Sequence, residues 1–160
     1  MTPEQRDILR KEKKIVKISG KEFITVAGLH WLAEQQGLIS ITSTCIYENY
    51  ETKEFCFRAC VRGLKFINGE QREVRFIDEG DANPKNVGRQ VVHAVRRMAS
   101  TRAIARALRW YTSPEMCALE ELSPEESRNE FKRITPDSAQ MGYESINAEL
   151  RESNRRGAQR

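Results

Sequence analysis

The chain has 160 residues, which is enough for one compact domain with a hydrophobic core plus terminal segments and too few for two full domains. Its formal net charge is only +4 although 31% of its residues are charged, so its basic character depends on where the charges lie. No apolar run reaches the roughly eighteen residues that span a bilayer, and the opening MTPEQRDILRKEKK lacks the apolar core of a signal peptide. We therefore expect a protein of the cytoplasm, associated with a nucleoid or present in a virus-infected cell.

The first 36 residues predict two helices. Thr2-Pro3-Glu4-Gln5 combines a capping residue, a proline at the first helical position and a glutamine three residues after the cap, so a helix should run to about Lys13. We interpret residues 1–21 as a basic, weakly buried N-terminal arm. A second helix is predicted from Val26 to Gln36, because apolar residues recur there at helical spacing and Gly37 follows as a helix terminator.

Three strands are predicted next, within residues 39–47, 54–66 and 71–77, where β-branched and aromatic residues are enriched. Asn68-Gly69 predicts a tight hairpin between the last two strands. In the middle strand apolar residues alternate with polar ones, so one face should join the core while the other carries Arg58 and Arg62. The following stretch DEGDANPKNVG, residues 78–88, has the composition of a loop.

A long basic helix, or two helices joined at a bend, is predicted from about Asn86 to Tyr111. Its apolar stripe changes sides after Ser100-Thr101, so the helix should either kink there or bury its two halves against different neighbours, the second of which could be another subunit. Ser113-Pro114-Glu115 and Ser123-Pro124-Glu125-Glu126 each look like a fresh helix start. The prediction is thus an α+β fold: a helix, a three-stranded antiparallel β-sheet (a β-β-β-α core) and a long basic helix packed on it. Residues 22–122 form the core domain and residues 123–160 a flexible, charged C-terminal tail.

The most informative feature is charge in the long helix. From Lys85 to Thr112 there is no Asp or Glu, while seven basic residues occur: Lys85, Arg89, Arg96, Arg97, Arg102, Arg106 and Arg109. Without carboxylates at i+3 or i+4 these charges repel one another unless an outside anion neutralises them. Arginine suits phosphate, since its fork binds two oxygens at once. The pattern favours phosphate binding over a merely solvated helix face.

Other chemistry is less well supported by the sequence. Cys45, Cys56, Cys60 and Cys117 show no metal-type spacing and are interpreted as small buried thiols in a reducing compartment, and His30 and His93 as edge or surface residues. The acids Asp78, Glu79 and Asp81 leave open a metal-dependent nuclease, although acids are common in turns. Trp31 and Trp110 are expected to anchor the core, whereas Tyr47 and Tyr50, near a hairpin tip, could meet bases.

The segments LHWLAEQQGL, KEFCFRACVRGLKFINGEQREVRFIDEG and RRMASTRAIARALRWY occur in the order of a helix, three strands and a long basic helix. In this order they resemble the core of the Rad fifty-two family of single-strand annealing proteins, with Erf and Red-beta as more distant relatives. The likeness covers about residues 22–112. It departs from the family at Ala105, where a lysine can occur, and around Gly28 and Leu29, where an arginine can occur.

The resemblance implies phosphate contact by Arg106 and Arg109, with Arg97 as an earlier basic contact. It also implies a homo-oligomeric ring or filament that anneals single-stranded DNA without ATP, and a C-terminal tail that recruits other recombination or replication proteins. We accordingly expect a DNA-binding protein of recombination and repair, with no catalytic residue, metal or cofactor. The alternatives are the nuclease and an RNA-binding regulator. The residues predicted to bind DNA are Arg58, Arg62, Arg96, Arg97, Arg102, Arg106 and Arg109.

Overall fold

A computed structural model of the protein describes residues 1–122, and the predicted tail and its capping box at Ser123 lie outside them. The α+β prediction is confirmed: three antiparallel strands in the order β3-β4-β5 carry a long helix on one face. In chain order the helices and strands are α1 (Pro3–Lys11), β1 (Ile15–Ile18), β2 (Lys21–Ile24), α2 (Val26–Gln35), β3 (Leu38–Asn49), β4 (Glu54–Ile67), β5 (Glu70–Ala82) and α3 (Val95–Thr112). In this part of the chain, none of the helices combines the length and the apolar character needed to cross a membrane.

The N-terminal segment contains the predicted helix and two strands that the sequence did not predict. Helix α1 has the expected capping box, in which the Gln5 N–H donates to the Thr2 hydroxyl and the Thr2 N–H donates to the Gln5 side chain. As expected, burial of residues 1–21 is weak: Leu9 and Ile15 are the buried side chains of this segment, and the others are intermediate or exposed. Strands β1 and β2 form a two-stranded sheet that was not predicted, and Glu22 on β2 accepts hydrogen bonds from Arg6 and Arg10 of α1.

The three-stranded sheet has one buried and one open face. The predicted hairpin turn is confirmed, with Asn68 and Gly69 at φ values of 54° and 82°. The alternation in β4 is also confirmed, since Phe55, Phe57, Ala59 and Val61 are buried. In contrast, the loop predicted over residues 78–88 begins later than expected: Asp78–Ala82 continue β5 and pair with Phe55–Ala59 of β4, and only residues 83–88 lie outside helices and strands. We call the face turned away from α3 the outer sheet face.

Two strand glycines explain how closely α3 lies on the sheet. A Cβ atom at Gly80 would overlap the backbone of α3 at Ala103, and one at Gly63 would overlap the ring of Tyr111. A glycine inside a strand often marks such a close backbone approach rather than a turn. Gly80 therefore belongs to β5, although its acidic neighbours gave the segment the composition of a loop.

The long helix begins later than predicted and has no kink. Residues Arg89–Ala94 form a 3₁₀-helix, and α3 continues without a break through Ser100-Thr101. Its reversed apolar stripe is explained by two neighbours in the same chain: Ala99 and Ala103 lie against β5, while Ile104 and Leu108 line a groove shared with α2. Within residues 1–122, the second neighbour of the helix is thus α2.

The last described residues connect β2 and the start of α2 to α3. The helix predicted at Ser113-Pro114-Glu115 is absent from this stretch, where Leu119–Glu121 form only a short 3₁₀-turn. Ala118 bridges to Ile24 of β2, and a carboxylate oxygen of Glu120 accepts the N–H of Val26 at the start of α2 at 2.9 Å. This segment places the backbone carbonyl of Glu120 beside Arg102 and the carboxylate of Glu121 beside Arg109.

Candidate nucleic-acid interface

The basic residues of the acid-free run divide into two groups in the structure. Those in the C-terminal half of α3, Arg102, Arg106 and Arg109, are bound within the chain, whereas Lys85, Arg89, Arg96 and Arg97 are exposed. The donors of the first group are therefore used by acceptors distant in sequence, of which one, Glu121 beside Arg109, is a carboxylate. Sequence spacing alone could not reveal these partners.

Arg102, one of the predicted DNA contacts, is buried and uses its donors inside the chain. Its side chain is buried, with only 7% of the residue exposed, and it donates four hydrogen bonds of 2.8–3.1 Å. The acceptors are backbone carbonyls of Asp81, Asn86 and Glu120 and the Asn86 side-chain oxygen. Burial lowers the pKa of the Arg102 guanidinium. With four of its five N–H donors used internally, Arg102 cannot offer a fork to phosphate.

Arg106 and Arg109 also have partners within the chain, but only the partner of Arg109 is a carboxylate that neutralises its charge. Arg106 donates to the backbone carbonyl of Glu79 on β5 at 2.8 Å. Arg109 forms an ion pair of 3.1 Å with Glu121, whose side chain is 15% exposed. Arg106 remains half-buried and keeps free donors, so its phosphate contact stays a prediction of the resemblance, as does that of Arg109.

Arg58 and Arg62 lie on the outer sheet face, away from α3. They do not share a groove with the arginines of α3, because the sheet lies between them. Each pairs with a carboxylate at 2.7 Å, Arg58 with Glu79 and Arg62 with Glu73. Exposed pairs of this kind contribute little stability, but they reduce the positive potential of this face.

A groove at the start of α3 brings two of the predicted arginines together. We call it the α3 groove; it has a volume of about 540 Å³ and is lined by Phe57, His93, Ala94, Arg96, Arg97 and Ser100. The guanidinium carbon of Arg96 lies 5.2 Å from the centre of the Phe57 ring, a cation–π contact that orients the side chain. The hydroxyls of Ser100 and Ser43 lie 2.9 Å apart and join α3 to β3 beneath the groove.

The α3 groove is cationic because two arginines line it. Arg97 is exposed and has no carboxylate partner in residues 1–122, while Arg96 has a single weak one, Glu48, at 3.7 Å. Arg89, which the prediction did not include, is exposed in the 3₁₀-helix that leads into α3, and Lys85 precedes it. Chemically, the groove can bind an anion through arginine forks and position it beside an aromatic ring.

The acids of β5 do not form a metal site. Asp78 faces α3 and accepts the indole N–H of Trp110 at 2.8 Å, whereas Glu79 and Asp81 lie on the outer sheet face. Across residues 1–122, no group of three His, Cys, Asp or Glu side chains is placed to hold a metal ion. Two further expectations were wrong: Trp110 is 58% exposed rather than a core anchor, and none of the four free cysteines is fully buried.

No protein-family model and no curated protein matches the chain. The resemblance to the Rad fifty-two family depends on the three quoted segments and on the order of the elements they form. That order, α2 followed by β3, β4, β5 and α3, is present in the structure.

Proposed function

We propose that the protein binds and anneals single-stranded DNA, in the manner of the Rad fifty-two family, and that it holds the strand backbone in the α3 groove. The observation that carries this proposal is the convergence of Arg96, Arg97 and His93 on one open groove, with Arg97 unpaired in residues 1–122. Backbone contacts of this kind position a strand without reading its sequence. Bases left free can then be sampled by a complementary strand.

Self-association is part of the proposal. The outer sheet face carries exposed apolar side chains, Phe66 at 77% and Ile77 at 58%, and both β3 and β5 have a free edge within residues 1–122. Exposed apolar surface and open edges favour association with another chain. We propose a ring or filament of identical subunits that acts without a cofactor, in the cytoplasm of a cell or of a virus-infected cell. Residues 123–160 would recruit other recombination or replication proteins.

The two alternatives receive less support from the described residues. A nuclease needs acids that converge on bound substrate, and Asp78 lies on the opposite side of β5 from Glu79 and Asp81. An RNA-binding regulator remains a rival, because arginine forks bind the phosphates of either nucleic acid.

An annealing assay with a labelled strand separates the three functions. The proposal expects faster pairing of complementary DNA strands without ATP, intact strands after incubation with magnesium or manganese, and preference for DNA over an RNA of the same sequence. Degradation of the strand would favour the nuclease. Preference for RNA, with no acceleration of DNA pairing, would favour the regulator.

A further inference from the structure

The tip of the β3–β4 hairpin presents an aromatic ring beside the α3 groove. Tyr50 is 65% exposed, and its ring meets that of Phe55 edge to face, with the centres 5.4 Å apart and the planes at 82°. Phe55 is itself only 6% exposed, so it supplies a fixed support. An edge-to-face contact with one neighbour leaves most of the Tyr50 ring open to a second aromatic partner.

Hydrogen bonds hold this ring and the backbone beneath it. The Tyr50 hydroxyl donates to a carboxylate oxygen of Glu48 at 3.3 Å, and the Asn49 side-chain oxygen accepts the N–H groups of Glu51 and Thr52 at 3.0 and 3.1 Å. These contacts shape the turn so that the ring is set before any ligand arrives. A preset ring loses less conformational entropy on binding than a mobile one.

The same carboxylate oxygen connects Tyr50 to the groove. Glu48 Oε2 accepts the Tyr50 hydroxyl and also lies 3.7 Å from Nε of Arg96. The Tyr50 side chain and an arginine of the groove therefore lie next to the same carboxylate oxygen. Proteins that bind single strands combine cations that follow the backbone with aromatic rings on which bases stack. In a duplex the base faces are covered by neighbouring pairs, so a single exposed ring favours unpaired bases.

We propose that Tyr50 is a stacking site for one unpaired nucleobase of a strand whose phosphates lie in the α3 groove. This inference rests on the proposed function and adds to it the reason for a preference for single strands. The matched control is Tyr47, which belongs to the same hairpin and is 52% exposed but pairs with Cys56 on the outer sheet face, away from α3.

The experiment compares Tyr50→Leu, Tyr50→Phe and Tyr47→Leu in binding an ordinary oligonucleotide and an abasic oligonucleotide of equal length. Tyr50→Leu should bind the base-containing strand about fivefold more weakly or worse, a loss of about 1 kcal/mol, while binding to the abasic strand stays unchanged. Tyr50→Phe keeps the ring and should bind nearly as well as the wild type, and Tyr47→Leu should be unaffected. With a 2-aminopurine strand, the wild type should quench the fluorescence more than Tyr50→Leu.

The experiment distinguishes failure of the proposed function from failure of the stacking site. If the wild type binds neither strand in a salt-dependent way, the proposed function is wrong and the inference falls with it. If the wild type binds but folded Tyr50→Leu keeps full affinity for the base-containing strand, only the stacking site is overturned. If Tyr50→Leu does not fold, Tyr50→Trp tests the stacking site instead. Tyr50→Trp should bind the base-containing strand at least as tightly as the wild type does. Weaker binding of the base-containing strand, with unchanged binding of the abasic strand, would overturn the stacking site.

Discussion

At the scale of single residues, the arginines of α3 show that equal charge does not mean equal role. Arg102 and Arg97 lie five positions apart on one helix. Arg102 is buried and donates hydrogen bonds to backbone carbonyls of three other segments, whereas Arg97 is exposed. Removing a buried donor leaves its acceptors without partners, which costs more than the lost bonds themselves. Removing an exposed charge has little effect on stability.

Arg102→Ala is therefore expected to lower the free energy of unfolding by about 3 kcal/mol or more, because the carbonyls of Asp81, Asn86 and Glu120 lose their donor. Arg97→Ala serves as the control and should stay within about 0.5 kcal/mol of the wild type. Urea unfolding of the two variants measures both values. Equal stability of the two would contradict the structural role of Arg102.

At the scale of elements, the position of α3 depends on glycines in the sheet beneath it. Gly80→Ala should destabilise the fold by about 2–3 kcal/mol, because the added methyl group meets backbone atoms of α3 that cannot turn aside. Gly88→Ala is the matched control, since a Cβ there has no neighbour within 4 Å and the backbone is extended. Melting temperatures of both variants test this. A Gly80→Ala protein as stable as Gly88→Ala would show that α3 does not lie so close to β5.

The elements themselves could largely be predicted from the sequence, but not their partners. Local signals identified the capping box at Thr2, the Asn68-Gly69 turn and the alternation in β4, because each depends on neighbouring residues only. The extension of β5 through Gly80 was missed because composition cannot distinguish a turn glycine from one required by a close approach. The burial of Arg102 and the pairing of Arg109 with Glu121 were missed for a related reason: their partners lie 12–21 residues away in sequence. Of the predicted site residues, the structure brings only Arg96 and Arg97 together in an open groove.

The Leu119–Glu121 turn should make stability depend on pH. Burial raises the pKa of the Glu120 carboxyl above its ordinary value of 4.5, and among the described residues its Oε2 atom has no hydrogen-bond partner. A raised pKa means that the folded state binds the proton more tightly than the unfolded state does. The contribution of the protonated Glu120 carboxyl to stability is therefore complete below pH 4.5, and it is lost as the pH rises through the pKa of this group in the folded state.

Glu120→Gln keeps an acceptor for the Val26 N–H but cannot ionise. We expect the free energy of unfolding of this variant to increase relative to that of the wild type as the pH rises above 4.5. Urea unfolding of both proteins at a series of pH values measures this difference. A difference that stays constant over this range would mean that Glu120 does not titrate differently in the folded and unfolded states.

At the scale of the whole molecule, charge and apolar surface are separated. Arg89, Arg96 and Arg97, which are exposed and lack a strong ion-pair partner among the described residues, lie where the 3₁₀-helix Arg89–Ala94 meets α3, whereas the outer sheet face combines paired charges with exposed apolar side chains. A subunit with this arrangement can bind an anionic ligand through these cations and contact another copy of the chain through the outer sheet face. The binding of phosphate at the α3 groove is the claim on which this account depends.

A salt titration of single-stranded DNA binding tests that claim most directly, with the melting temperature of each variant measured in parallel. The wild type should lose affinity steeply with salt, and the double variant Arg96→Ala/Arg97→Ala should bind more weakly with a slope shallower by about 1.4, or about 0.7 for each phosphate contact removed. Arg72→Ala/Arg75→Ala removes the same charge from exposed positions on β5 and should change the slope little. A folded Arg96→Ala/Arg97→Ala protein with the affinity and salt slope of the wild type would contradict the account.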